Sequence, residues 1–158
     1  MKHTFSVLVE NKFGVLARVA GLFAARGFNI DSLAVSPTND PAVSHMTIVV
    51  DAPDERILEQ IKKQLNKLVD TIRVQDLTGE DFIDRELVLV KVEVNPKTRP
   101  QILEIAQTLE ARIDEAAKNA MTLEVVGDAN KIHTLLELLK PFEIKEIVRT
   151  GRIAMSRK

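Results

Sequence analysis

Thr4–Gly27 reads TFSVLVENKFGVLARVAGLFAARG, and its two halves follow different periods. From Thr4 to Glu10, Phe5, Val7 and Val9 alternate with more mixed positions, the period-2 pattern of a half-buried strand. Gly14 breaks the pattern. From Leu16 the apolar positions fall at Leu16, Val19, Ala20 and Phe23, spaced as one face of a helix, and Gly27 stands where a helix C-cap belongs. The stretch is a strand followed by a helix.

Working outward, Ile30 to Ser36 is a second extended segment, ended by Pro37. After the turn-rich Thr38 to Pro41, a third strand runs from Val43 to Val50, so the connection is a hairpin. Asp51, Pro53, Asp54 and Glu55 place proline and negative charge at a helix start. Leu58, Ile61, Leu65 and Leu68 follow with helical spacing, and Val69 to Leu77 is the expected fourth strand. The order βαββαβ is ferredoxin-like, an antiparallel sheet with two helices on one face.

The pattern then restarts. After an acidic connector from Thr78 to Asp84, Leu87 to Val94 alternates as a strand. Ile102, Ile105, Ala106 and Leu109 mark a helix entered through Pro100. Met121 to Val126 is a further strand, Gly127 and Asp128 give a turn and an N-cap, and Ile132, Leu135, Leu136 and Leu139 form a helical stripe that Pro141 stops. Ile144 to Met155 is the closing strand. Arg112 to Lys118 should be a strand in this scheme, yet Glu115, Ala116, Ala117 and Lys118 favour helix. Either the preceding helix runs on or the strand is very short. The fold class is α+β: two tandem ferredoxin-like βαββαβ units over 1–78 and 86–158, joined by a linker at 79–85.

A chain of 158 residues holds one ordinary domain or two small ones. With 45% hydrophobic and 28% charged residues it has the composition of a globular protein. Apolar runs such as Ile48 to Val50 and Leu87 to Val90 fall far short of the roughly 20 residues that cross a bilayer, so no membrane partner is expected. Met1 to Thr4 lead straight into the first strand without the features of a secretory signal. Zero cysteines leave no disulfide framework, and cytoplasmic residence is the simplest expectation. The net charge is −1, and neither half carries the basic excess of a nucleic-acid or anionic-membrane binder.

Asn11 to Leu16 occupies the first strand-to-helix junction. A helix N-terminus presents unpaired N–H groups and the positive end of the dipole, so a carboxylate docks there without a basic side chain. Glycine at position 14 lets a ligand approach the backbone, and Asn11 offers both a donor and an acceptor. That suits an amino acid, although the same residues also make a plain turn before a helix. Gly27 to Asp31 is a second candidate. Asn29 is a good left-handed turn residue. Two copies pairing through helices or sheet edges can also bring the Asn29 loop of one chain beside the Gly14 loop of the other.

Three segments carry a resemblance: Asn11-Lys-Phe-Gly-Val-Leu, Arg26-Gly-Phe-Asn-Ile-Asp-Ser-Leu-Ala-Val-Ser-Pro-Thr and Met46-Thr-Ile-Val-Val. Together they resemble the ACT domain of acetolactate synthase small subunits. Asp84-Arg-Glu-Leu, Val125-Val-Gly-Asp and the run from Leu139 to Met155 resemble that family's C-terminal domain. The resemblance implies a non-catalytic regulatory subunit that dimerises through its ACT domains, binds valine or a related branched-chain amino acid, and associates with a catalytic large subunit. It would activate that subunit and confer feedback inhibition on it. On this basis Asn11, Gly14, Val15 and Leu16 line one side of the effector pocket, with Asn29 and Ile30 on the other. The family's thiamine diphosphate, FAD and magnesium belong to the catalytic chain, so no cofactor, metal or catalytic residue is expected here. The sequence departs from the family pattern at Glu115 to Asn119, where β-branched residues are expected.

Three rival classes are weaker. An independent enzyme lacks a nucleophile–base arrangement around His3, His45 or His133, and there is no cysteine or glycine-rich phosphate loop. A metal sensor would need His3 and His45 to face each other across neighbouring strands, with further ligands that are not evident. An RNA-recognition module needs aromatic residues on its sheet; there is no Tyr or Trp, and only Phe5 falls on an expected strand. The remaining alternative is a two-ACT-domain amino-acid sensor regulating a different enzyme or a transcriptional partner.

Overall fold

The computed structural model describes residues 2–158. Its contacts divide the chain into two units: residues up to Ile83 together with Arg152–Lys158, and Asp84–Gly151.

The first unit contains β1 (Lys2–Glu10), α1 (Val15–Ala24), β2 (Ile30–Pro37), β3 (Val43–Asp51), α2 (Glu55–Lys67) and β4 (Thr71–Asp76). Its strands lie in the order β2-β3-β1-β4, all antiparallel. The period-2 pattern of β1 has a direct result: Phe5, Val7 and Val9 are buried. Phe5 lies opposite Ile48 and Val7 opposite Met46. Val15, Val19 and Phe23 of α1 and Leu58, Ile61 and Leu65 of α2 close the core over that face. Each large side chain so buried contributes about 1.5–3 kcal/mol relative to exposure. α2 starts as its sequence requires, with Asp54 accepting the Ile57 N–H at 3.0 Å. β4 is shorter than the expected Val69–Leu77, because Thr71 N–H donates to Leu68 O and turns the chain at Val69, which is exposed.

The opposite face of this sheet is also covered. Thr47 and Val49 alternate with core residues and so point away from the helices, yet both are buried. The segment over them is a C-terminal strand, β9 (Ile153–Ser156). Ala154 N–H donates to Thr47 Oγ1 at 3.2 Å and Arg152 N–H to Ser32 Oγ at 3.0 Å. β9 also pairs with β5 (Phe82–Glu93), whose first two residues belong to this unit.

The second unit continues β5 into α3 (Arg99–Thr108), β6 (Arg112–Ala116), β7 (Ala120–Gly127), α4 (Ala129–Leu139) and β8 (Ile144–Arg149). The order is β6-β7-β5-β8, again antiparallel. Val88, Val90 and Val92 face Val125, Leu123 and Met121, and Ile102, Ala106, Ile132, Leu135 and Leu139 pack on them. Asp128 caps α4 by accepting the Lys131 N–H at 2.8 Å. The fold class is therefore two antiparallel sheets, each with two helices, in the ferredoxin-like βαββαβ order.

Of the two alternatives for Arg112 to Lys118 the short strand is the one formed, and three other expectations change. Arg112–Ala116 forms strand β6 although its residues favour helix, because pairing with β7 across a register shift between Ile113 and Glu115 supplies the bonds that propensity does not. All five residues are exposed, as on an edge. Residues 82–85, expected within the linker, already belong to β5, so Phe82 as well as Phe5 is a strand phenylalanine. The single closing strand Ile144–Met155 is two strands, broken where Gly151 takes φ 79°. Residues 152–158, expected within the second unit, pack with the first. Among the described residues no helix is long and apolar enough to cross a membrane.

Candidate functional site

The loop from β1 to α1 is pinned by its backbone. Glu10 N–H donates to Asp70 O and Asn11 N–H to Ala42 O, both at 2.8 Å. The Asn11 amide donates to Pro41 O at 2.9 Å, which leaves its side-chain carbonyl oxygen as an acceptor. Lys12 pairs with Glu10 at 2.6 Å, and that hydrogen bond raises the lysine pKa above its ordinary value.

Gly14 is the N-cap of α1, with φ 79° and no side-chain cap. A left-handed residue there turns the strand directly into the helix, and only glycine does so without strain. Arg18 N–H donates to Gly14 O at 3.0 Å, the first bond of the helix. The N–H groups of Leu16 and Ala17 meet no backbone or side-chain acceptor among the described residues, and no acidic residue occupies the first turn. The positive end of the dipole is thus unneutralised.

Arg18 lies across this loop. Its Nε donates to Asp70 Oδ2 at 2.7 Å and its Nη2 to Phe13 O at 3.5 Å. A Cβ added at Gly14 would stand 3.0 Å from Nη1. Glycine is favoured here by its φ, and a Cβ would in addition make the flexible end of the guanidinium shift by a few tenths of an ångström. The pair was not legible in the sequence, since Arg18 and Asp70 are 52 positions apart and no local pattern links them.

The remaining candidates divide. Val15 is buried in the core, so only its backbone faces the loop, whereas Leu16 is half-exposed and Phe13 fully exposed. The Asn29 amide donates to Asp31 Oδ1 at 3.2 Å, and Ile30 opens β2 opposite Val50. Asn29 is not a left-handed turn residue; Gly27 takes that role with φ 68°. Within one chain the two sets are not brought together. They sit at opposite ends of the ten-residue α1, about 15 Å apart along the axis.

The histidines do not face one another. His3 is opposite Val50, with Nδ1 3.3 Å from Thr78 Oγ1; His45 is opposite Leu8, with Nε2 2.8 Å from Ser6 Oγ. Burial lowers the His45 pKa. Among the described residues there is no group of three or more His, Cys, Asp or Glu that could hold a metal ion.

Comparison with known proteins covers both units. A family model described as an AHAS small subunit-like ACT domain matches residues 5–73, and one described as the small subunit of acetolactate synthase matches residues 85–158. The chain is 48% identical to the probable acetolactate synthase small subunit of Archaeoglobus fulgidus, over 99% of this chain and 98% of that one. It is 47% identical to the acetolactate synthase small subunit of Mycobacterium leprae, over 98% of this chain and 91% of that one. Its fold is similar to the crystal structure of the acetolactate synthase small subunit from Thermotoga maritima, with a TM-score of 0.88 at 34% identity, covering 100% of this chain and 98% of that one. The two family models and these relatives together span nearly the whole chain, and the chain belongs to the acetolactate synthase small-subunit family.

Proposed function

We propose that the chain is a non-catalytic regulatory subunit that binds the catalytic large subunit of acetolactate synthase, raises its activity and makes it sensitive to a branched-chain amino acid, with valine the first choice. The observation that carries the effector half of this reading is the start of α1. A left-handed glycine and two unengaged N–H groups form a seat for a carboxylate. The free carbonyl oxygen of Asn11 suits an ammonium group, and half-exposed Leu16 gives apolar surface for an aliphatic side chain.

Asn29 and Ile30 complete the pocket only from a second copy, since in one chain they lie at the far end of α1. The reading therefore includes a homodimer formed through the ACT units, and the edge position of β2 leaves its backbone open for such pairing. Thiamine diphosphate, FAD and magnesium sit on the catalytic subunit, and the assembly works in the cytoplasm.

Reconstitution tests the whole reading. The purified chain alone should not consume pyruvate with all cofactors supplied. Added to the catalytic subunit it should raise the rate, and valine should then lower it. Sedimentation should show a dimer that valine tightens, because a ligand held by both chains favours the dimer by mass action. A monomer at micromolar concentration in saturating valine would overturn the split pocket. An unchanged rate on mixing would overturn the regulatory role.

A further inference from the structure

Beyond Gly151 the chain leaves β8 and finishes on the face of the first sheet that the helices do not cover. There it is held by two hydroxyls: Ser32 Oγ accepts Arg152 N–H at 3.0 Å, and Thr47 Oγ1 accepts Ala154 N–H at 3.2 Å. Arg157 adds a backbone bond to Asp81 O at 3.2 Å and an ion pair with Asp81 at 3.0 Å. Ala154 is 5% exposed and Thr47 0%, so the segment seals the sheet rather than lying loosely on it.

Ser32 has a particular place. The register of β2 against β3 shifts between Ile30 and Ser32, which makes Asp31 the extra residue of a bulge. A bulge re-aims the side chains beside it. Asn29 and Ile30, the proposed effector contacts, stand immediately before this bulge, and Ser32 immediately after it. One bulge residue, Asp31, therefore separates the backbone of Asn29 and Ile30 from the Ser32 hydroxyl that holds the segment.

We infer that residues 152–156 are a strap whose docking on the first sheet is coupled to occupancy of the start of β2, so that effector binding tightens the strap. This rests on the effector reading above. Coupling between two binding events is reciprocal, so a chain whose strap is undocked must bind the effector more weakly by the same factor, typically about fivefold or more.

The test is amide hydrogen exchange on the full chain with and without saturating valine, read at Leu16 and Ala17, at Ala154, and at Leu123 as a core control. Exchange at Ala154 should slow about fivefold or more on adding valine, with Leu123 unchanged. In calorimetry Ser32→Ala should bind valine about fivefold more weakly, and Ser32→Thr, which keeps the hydroxyl, should restore most of the affinity. Protection at Leu16 and Ala17 with none at Ala154, or wild-type affinity in an S32A chain whose Ala154 amide has lost its protection, would overturn the strap while leaving the site standing. No protection anywhere and no heat of binding would remove the effector reading and the strap with it. The exchange measurement uses the unmutated chain and decides the matter even where a variant is unstable.

Discussion

Arg18 Nε and Asp70 Oδ2 lie 2.7 Å apart, and the two partners are unequally placed: the carboxylate side chain is 8% exposed and the guanidinium side chain 47%. Asp70 also lends its carbonyl to the Glu10 N–H, so one residue fixes both ends of the loop that carries Gly14. Removing the arginine strands a buried carboxylate. Arg18→Gln should cost about 2–3 kcal/mol, less than for a fully buried pair because Arg18 is half in water. The double variant with Asp70→Asn should recover part of the loss. Urea unfolding checks the stabilities, and calorimetry should show weaker valine binding in R18Q even where the chain is folded. Equal stability of R18Q and the parent would show that the pair holds nothing in place.

The left-handed conformation of Gly14 changes what a substitution there reports. Any side chain at φ 79° carries strain of about 1–2 kcal/mol, and asparagine and aspartate tolerate it best. Gly14→Asn therefore measures backbone and space, and Gly14→Asp adds only a charge. A like charge about 4 Å from the effector carboxylate costs on the order of 1–4 kcal/mol. G14D should bind valine roughly tenfold or more weakly than G14N, at similar stability. Equal valine inhibition curves for the two variants in the reconstituted enzyme would place the carboxylate elsewhere.

His45 should make stability depend on pH. Burial holds its folded pKa below the ordinary 6.5, so the unfolded chain takes up the proton more readily. Its contribution is full above the unfolded pKa, falls as the pH drops through that value, and stops falling below the depressed folded pKa. Denaturation midpoints measured from about pH 7.5 to about pH 5.5 should decline, and His45→Gln should flatten that decline. A slope unchanged in H45Q would assign it to other groups.

Glu86 is buried and accepts two bonds from Arg149, at 2.7 and 2.9 Å. The same bonds raise the arginine pKa. Arg149→Met should destabilise the chain by about 2–4 kcal/mol by leaving the carboxylate unpaired, and Glu86→Gln in the same chain should reverse much of that. Thermal unfolding of the single and double variants gives the coupling directly, and additive effects would show that the pair is incidental.

Most of the elements were legible from periodicity, because each half buries one face of each strand and one stripe of each helix. Phe5, Val7 and Val9 announce β1, and Ile132, Leu135 and Leu139 announce α4. β6 was not decidable, since its bonds come from β7 and its side chains are all exposed. The break at Gly151 had a local signal in the glycine, but the destination of the residues after it did not. The candidate loop was legible as a helix start, whereas the sign of φ at Gly14 was not. A glycine that serves for close approach and one that serves for positive φ look alike in sequence.

The first unit is assembled from two separate stretches, residues up to Ile83 and Arg152–Lys158, with the whole second unit between them. During synthesis its last strand emerges only after β8, which at roughly 5–20 residues per second means a delay of several seconds. Throughout that interval Thr47 and Val49 face the solvent on the nascent chain. The two units are therefore completed almost together, since only Arg152–Lys158 follow Gly151, and the sheet that is synthesised first is among the last parts of the chain to be closed.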